Sequence, residues 1–525
     1  MKRAKVGSVA VAVALLLASA SGWAADLTIG RATEQAALDP QFSDLGNDDA
    51  TAQNMFDSLI MVDSKLQSYP GLALSWTLLD PLTWEVKLRP NVKFNDGTAF
   101  TGEDVAFSLQ RARNVPNSPG PLGAYLSAVK SVEVIDPLTI HIHTVGPTPL
   151  LQEQVGRIFI IPAHLGTSVT TADFNSGKAM IGTGPYRFVS AAPGDNVVMA
   201  PNPYYWGPKP QFDKVTLKFI ANAASRSAAL LSNQVDVIEQ VPSADVQTLA
   251  SHPGIKTFST VTSRIVYVGI DSDRTVSPLV TDKDGKPMDT NPLKDKRVRE
   301  AMSLMINRVA IVQRILNGAG EPAGQLVPEG MGGYAADLPA PPYDPKAAKA
   351  LLTEAGYPQG FGLTLDGSSD RFPADSLVAQ AVGQMFSHGG IRINGIDVSP
   401  YSVYTAQATA RKYSVFIFSF GSIGGSSANG LLGVLATYNK QAGTGSLNRA
   451  RYSNPAFDAV LKQALSEFDE QKRNALLAQA TRIAMQDNAI LPLYWQKLFW
   501  AARGNYVIDP DRGEATSTRF VSVGQ

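Results

Sequence analysis

From Trp84 to Arg89 the chain alternates apolar and polar side chains, the period-two pattern of a strand with one buried face. The same alternation returns at Thr139-Ile140-His141-Ile142-His143 and at Val215-Thr216-Leu217-Lys218-Phe219-Ile220. Leu27 to Arg31, Val235 to Ile238 and Arg264 to Gly269 predict further strands. Helical patterns lie between them. Ala52 to Ile60 and Ser227 to Ser232 predict short helices, and Thr101-Gly102-Glu103-Asp104 ahead of Val105 to Leu109 reads as an N-capped one. Lys294 to Leu316 predicts one long or two short helices. Asp344-Pro345 opens a helix over Ala347 to Ala355 that Gly356 stops. A helix over Ala374 to Phe386 sits between strand candidates at Phe361 to Leu365 and Ile391 to Val398. Asn95-Asp96-Gly97 is a turn, Asp271 to Pro292 a loop, and Gly318 to Pro345 mostly irregular. Such interleaving favours α/β domains with mixed sheets over an all-helical or all-β chain.

The first residues break this pattern. Lys2, Arg3 and Lys5 precede an apolar run from Val9 to Ala18 and then small residues around Gly22-Trp23-Ala24. That order is the signature of a secretory signal peptide over residues 1–24, with cleavage after Ala24. A retained anchor is the alternative, but the run is short for a membrane span, which needs about 20 apolar residues.

Composition narrows the function. The chain has 525 residues, enough for several domains, and carries 46 Lys and Arg against 46 Asp and Glu. The leader removes three of those cations and no acid, so the mature product is slightly acidic. No basic block invites nucleic acid or an anionic membrane. Cysteine is absent, which excludes disulfides, a thiol nucleophile, thiolate metal sites and a lipid-anchored N-terminus. The expected product is a soluble periplasmic protein.

Catalytic chemistry is hard to find. Gly182-Thr183-Gly184 lacks the third glycine of a dinucleotide fingerprint, and no phosphate-binding GxxxxGK[ST] occurs. His141 and His143 share a strand face without partners at metal-ligand spacing. His164 has no Ser or acid partner that would make it a base. Gly421 to Ser427 reads either as a flexible loop or as an anion cradle of successive N–H groups, and does not match the Gly-x-Ser-x-Gly elbow. We therefore expect no enzyme, no cofactor and no metal site.

Several blocks together resemble one family, the large extracytoplasmic solute-binding proteins of peptide/nickel-type ABC transporters, solute-binding family 5. They are Leu72-Ala73-Leu74-Ser75-Trp76 with Thr83 to Thr98, Glu103 to Ser108, Gly182 to Tyr186, and Asn202-Pro203-Tyr204-Tyr205-Trp206. Leu293 to Ala301, Ile306-Asn307-Arg308, Tyr343-Asp344-Pro345 and Tyr452 to Asp458 follow in family order. The resemblance implies a periplasmic-binding-protein type II-like fold: two mixed α/β lobes around a hinged cleft, plus an extra α/β domain. Residues 25–60, 181–280 and 491–525 would form the first lobe, 61–180 the extra domain and 281–490 the second lobe. A monomer would capture a small solute and deliver it to permease subunits served by cytoplasmic ATPases. A chemosensory or chaperone-like binding protein on the same fold is the alternative.

Peptide binders of this family often carry an aspartate after the strand equivalent to Ser414 to Phe420, where it meets the peptide ammonium. Here Gly421 to Gly430 contains no acid. A small peptide or peptide-like solute remains the expected ligand, with an opine, an oligosaccharide or a metal chelate as alternatives. Candidate ligand-binding residues are Glu34, Arg157, His164, Ser422, Ser426, Ser427, Asn429 and Trp495. Glu34 would supply the missing negative charge, and the planar fork of Arg157 suits a ligand carboxylate.

Overall fold

The computed structural model describes residues 25–422, 424–514 and 516–524; the leader expected over 1–24 lies outside them. A mixed twelve-stranded sheet organises two lobes. In the first, Ala25–Arg31 lies between Phe212–Phe219 and Val237–Ile238, parallel to both. Leu27 and Ile29 are buried there with Phe56, Leu217 and Trp500, as a strand covered on both faces requires. In the second lobe Gly362–Ser368 is buried at every position and runs parallel to Arg392–Ser399 and Val415–Gly421.

Two long antiparallel strands, Ile255–Ile270 and Ile490–Arg503, pass from one lobe into the other. Their first-lobe ends pair Ile255 to Val261 with Arg503 to Lys497; their second-lobe ends pair Ile265 to Gly269 with Trp495 to Ile490. The ladder breaks between Val261 and Ile265, so Thr262, Ser263 and Arg264 bulge out where the lobes meet. Beyond the bulge, alternation sends Ile265 and Tyr267 into one apolar core and Val266, Val268 and Ile270 into another. The second lobe is therefore a sheet covered on both sides.

A separate four-stranded antiparallel sheet forms the extra domain, in the order Ala73–Asp80, Thr83–Leu88, Thr139–Thr144, Val129–Asp136. Trp84, Val86 and Leu88 point into its core beside Ile140 and Ile142, against Val105 and Leu109 of the helix Gly102–Ala112. That helix starts as its sequence requires. The Asp104 carboxylate accepts the Thr101 N–H at 2.7 Å, and its other oxygen takes the Ala163 N–H at 2.8 Å.

One helix differs from the sequence pattern, and another settles between its two alternatives as two short helices. The one expected over Ala52 to Ile60 ends at Ala52, having begun at Gly46. Buried Asn54 ends it: its amide donates to the Ala50 and Thr51 carbonyls, and its oxygen accepts the Thr518 N–H at 2.9 Å. The segment Lys294 to Leu316 divides into Lys296–Met305, capped by Asp295, and a second start at Arg308. Asn307 makes that restart by accepting the Ala310 N–H at 2.9 Å. Among the described residues no helix is long and apolar enough to cross a membrane.

Candidate ligand-binding cleft

A cavity of about 560 Å³ lies where the two lobes and the extra domain converge. That size suits a small solute. Six arginines line its walls beside seven acids, and four of the arginines are already paired. Arg31 lies 3.6 Å from Glu239 and donates to the Thr51 hydroxyl at 2.7 Å. Arg157 pairs with Asp49. Arg519 holds Asp57 at 2.6 Å, and Arg264 grips Glu514 through two bonds of 2.8 and 3.0 Å. The Arg264 pair ties the bulge between the lobes to the C-terminal segment.

Two cationic groups are left over. Arg449 stacks its guanidinium 4.3 Å above the Phe418 ring, and its buried Nε has no hydrogen-bond partner among the described residues. Arg371, exposed, lies 4.8 Å from the Tyr401 ring centre, hydrogen-bonds the Tyr401 side chain and feels the Glu514 charge without an ion-pair contact to it. Neither makes an ion pair among the described residues. Stacking on an aromatic face orients a guanidinium while leaving its in-plane donors open, which suits a carboxylate. The Ser419 and Ser422 hydroxyls also line the cavity without partners among the described residues. Burial pushes the Tyr267 phenol up to about 12, so it faces the cavity neutral.

One acid on the wall stands apart. Glu153, half-buried on the short helix Leu151–Val155, makes no hydrogen bond or ion pair among the described residues. Burial pushes its carboxyl up to about 8, against the pull of Arg473 and with help from Glu470.

Of the residues singled out from sequence, Arg157 and Ser422 line this cavity. The other six are not among its lining residues. The Glu34 carboxylate instead accepts the Gly194 N–H, 3.1 Å from each oxygen. His164 sits 3.2 Å from Asp96 on another face. Ser426 and Ser427 are buried against Gly332, whose carbonyl accepts the Ser427 N–H at 2.8 Å. Asn429 is half-buried beside them, and Trp495 lies in the second-lobe core with its indole N–H unpartnered among the described residues. Amides of the 421–430 loop are used inside the protein: Ser422 donates to Ser263 and Ala428 to the Ser426 hydroxyl. The anion-cradle reading loses those donors. His141 and His143 point outward to Glu85 and Glu133, and no group of three metal-ligating side chains occurs among the described residues.

Sequence reading missed Glu153, Arg371, Tyr401, Ser419 and Arg449. The only local signal was the aromatic alternation Phe416-Phe418-Phe420, which marks a face without showing what packs on it.

Two lobes joined by continuous strands, closing a polar, arginine-rich cavity, define a protein that encloses a small solute rather than one that turns it over. The chain belongs to the bacterial extracellular solute-binding proteins, family 5, whose model matches residues 67–442. It is 29% identical over 522 residues to the glutathione-binding protein GsiB of Shigella flexneri, covering 97% of each chain. Among solved structures, HbpA2 of Haemophilus parasuis matches with a TM-score of 0.82 at 23% identity, covering 95% of this chain and 100% of that one. The periplasmic binding protein DppA of Helicobacter pylori, in complex with the peptide STSA, matches with a TM-score of 0.74 at 22% identity, over 95% and 98%.

Proposed function

We propose that this chain is the periplasmic receptor of an ABC importer, exported by its leader, and that it captures a small peptide-like solute bearing at least one carboxylate. The observation that carries the reading is the pair of cavity guanidiniums, Arg449 and Arg371, set against Phe418 and Tyr401 with no ion-pair contact among the described residues. A ligand carboxylate completes them, and Ser419 and Ser422 offer neutral hydrogen bonds beside them. The likeness to a glutathione-binding protein along nearly the whole chain points the same way. Closure of the lobes on the solute then presents one composite surface to the permease, and partner ATPases drive transport.

Calorimetry and thermal shift on the mature protein test this with four ligands: reduced glutathione, trialanine, an opine and a neutral oligosaccharide. A peptide should bind and raise Tm with its concentration. Arg449→Gln should weaken that binding by about tenfold to hundredfold, the range for loss of a charge-assisted hydrogen bond. Binding of the oligosaccharide alone would overturn the peptide-like reading.

A further inference from the structure

The acids of the cavity wall are accounted for one by one. Arg157, Arg519, Arg31 and Arg264 hold Asp49, Asp57, Glu239 and Glu514. Asp44 accepts the Tyr125 hydroxyl at 3.2 Å, and Asp511 the Gly513 N–H at 2.9 Å. Glu153 is different. It lies on the extra domain's side of the cavity, and its carboxylate meets the second lobe at Gly424. Gly424 has a φ of +83°, and a Cβ there would fall 2.4 Å from Glu153 Oε2. The glycine thus lets the second-lobe backbone approach the carboxylate closely, where any side chain at that position would collide with it. The charged groups facing Glu153 are Arg473 and Glu470 of the helix Glu470–Gln486. Arg473 turns its Nη1 to the Glu467 and Phe468 carbonyls, at 3.1 and 3.3 Å, and forms no ion pair with Glu153 among the described residues. The loop from Gly421 to Gly430 brings no ionisable side chain, and the helix neighbours Gln152 and Gln154 are neutral. A desolvated carboxylate without a partner is costly, and a cation arriving in the cavity removes that cost.

We propose that Glu153 accepts the primary ammonium of the ligand, in a site completed only when the extra domain and the second lobe meet at Gly424. This rests on the peptide-like reading above and adds the position of the ligand's amine. The solute is then a zwitterion, with its ammonium at Glu153 and its carboxylate at the stacked arginines. Because burial raises the free carboxyl to about 8, an incoming ammonium must ionise it near neutrality. Binding therefore releases a proton at pH 7, and affinity rises as pH increases from 6 towards 8.

The test repeats the calorimetry with each amine-bearing ligand and its N-acetyl form, on wild type, Glu153→Gln and Glu153→Asp. In wild type, acetylation should cost about tenfold to hundredfold in affinity. Glu153→Gln should lose a similar factor for the free amine, show little penalty on acetylation, and release no proton at pH 7. Glu153→Asp should recover part of the affinity. Wild-type binding that ignores acetylation would overturn the proposal without reference to any variant. A peptide bound equally well by wild type and Glu153→Gln would overturn it while leaving the peptide-like reading intact. A neutral oligosaccharide as the sole ligand, unaffected by Glu153→Gln, would overturn both.

Discussion

Asp366 is a carboxyl placed where its charge is unwelcome. It is buried in the middle of the strand Gly362–Ser368, one of its oxygens has no hydrogen-bond partner among the described residues, and Asp397 sits opposite it on the neighbouring parallel strand. Burial first, and the Asp397 charge second, push it up to about 7. The sign follows from the unfolded state, where the group titrates near 4. The folded protein keeps the proton longer than the unfolded chain, so stability falls as pH rises from about 4 to 7 and then levels off. Asp366→Asn should therefore stabilise the protein by roughly 1–3 kcal/mol at pH 8 and change little at pH 4. Urea titrations at the two pH values would show it, and an equal effect at both would refute it. Asp366 lies away from the cavity walls, so ligand affinity should not follow.

Among the elements, the helix Gly102–Ala112 depends most visibly on one side chain. Asp104 closes its first turn and also holds the Ala163 N–H of the chain returning from the extra domain. Asp104→Ala should cost about 1–3 kcal/mol, because it removes a cap and strands a second donor. Urea unfolding should give the size of the loss, and limited proteolysis should cut first within the extra domain. This helix was legible because its signal is local: a Thr, an Asp three residues on, then an apolar stripe. The strands at Trp84 and Thr139 were legible for a similar reason, since a period of two marks a half-buried face. The helix expected from Ala52 was not. Its end is set by Asn54, whose partner Thr518 is 464 positions away. The cleft was hidden for the same cause. Asp49 and Arg157 are 108 positions apart, Arg264 and Glu514 are 250 apart, and Glu153 looks in sequence like any polar residue on a short helix. His164 and Trp495 drew attention as chemically rich side chains, yet residue type says nothing about which surface a side chain reaches.

At the scale of the whole molecule, the extra domain and the second lobe also touch outside the cavity walls. The Trp84 ring of the extra domain packs 5.9 Å from that of Phe468, on the turn before the helix Glu470–Gln486 of the second lobe. An aromatic pair of this kind is worth about 0.5–1.5 kcal/mol beyond its buried area. Phe468→Ala should shift the ligand-free protein towards a larger radius of gyration in solution scattering and weaken ligand binding by about twofold to tenfold, mainly through faster release. An unchanged radius and off-rate would show that the pair does not help hold the closed form. The first lobe carries a different consequence. Its opening strand pairs with Phe212–Phe219 and Val237–Ile238, the latter is flanked by Ile490–Arg503, and Asn54 and Asp57 are held by Thr518 and Arg519. A chain that reaches the periplasm N-terminus first cannot finish this lobe until Thr518 and Arg519 have emerged. Order of emergence thus sets order of assembly: the extra domain, local in sequence, has its parts early, while the lobe holding Ala25–Arg31 is the last to be completed.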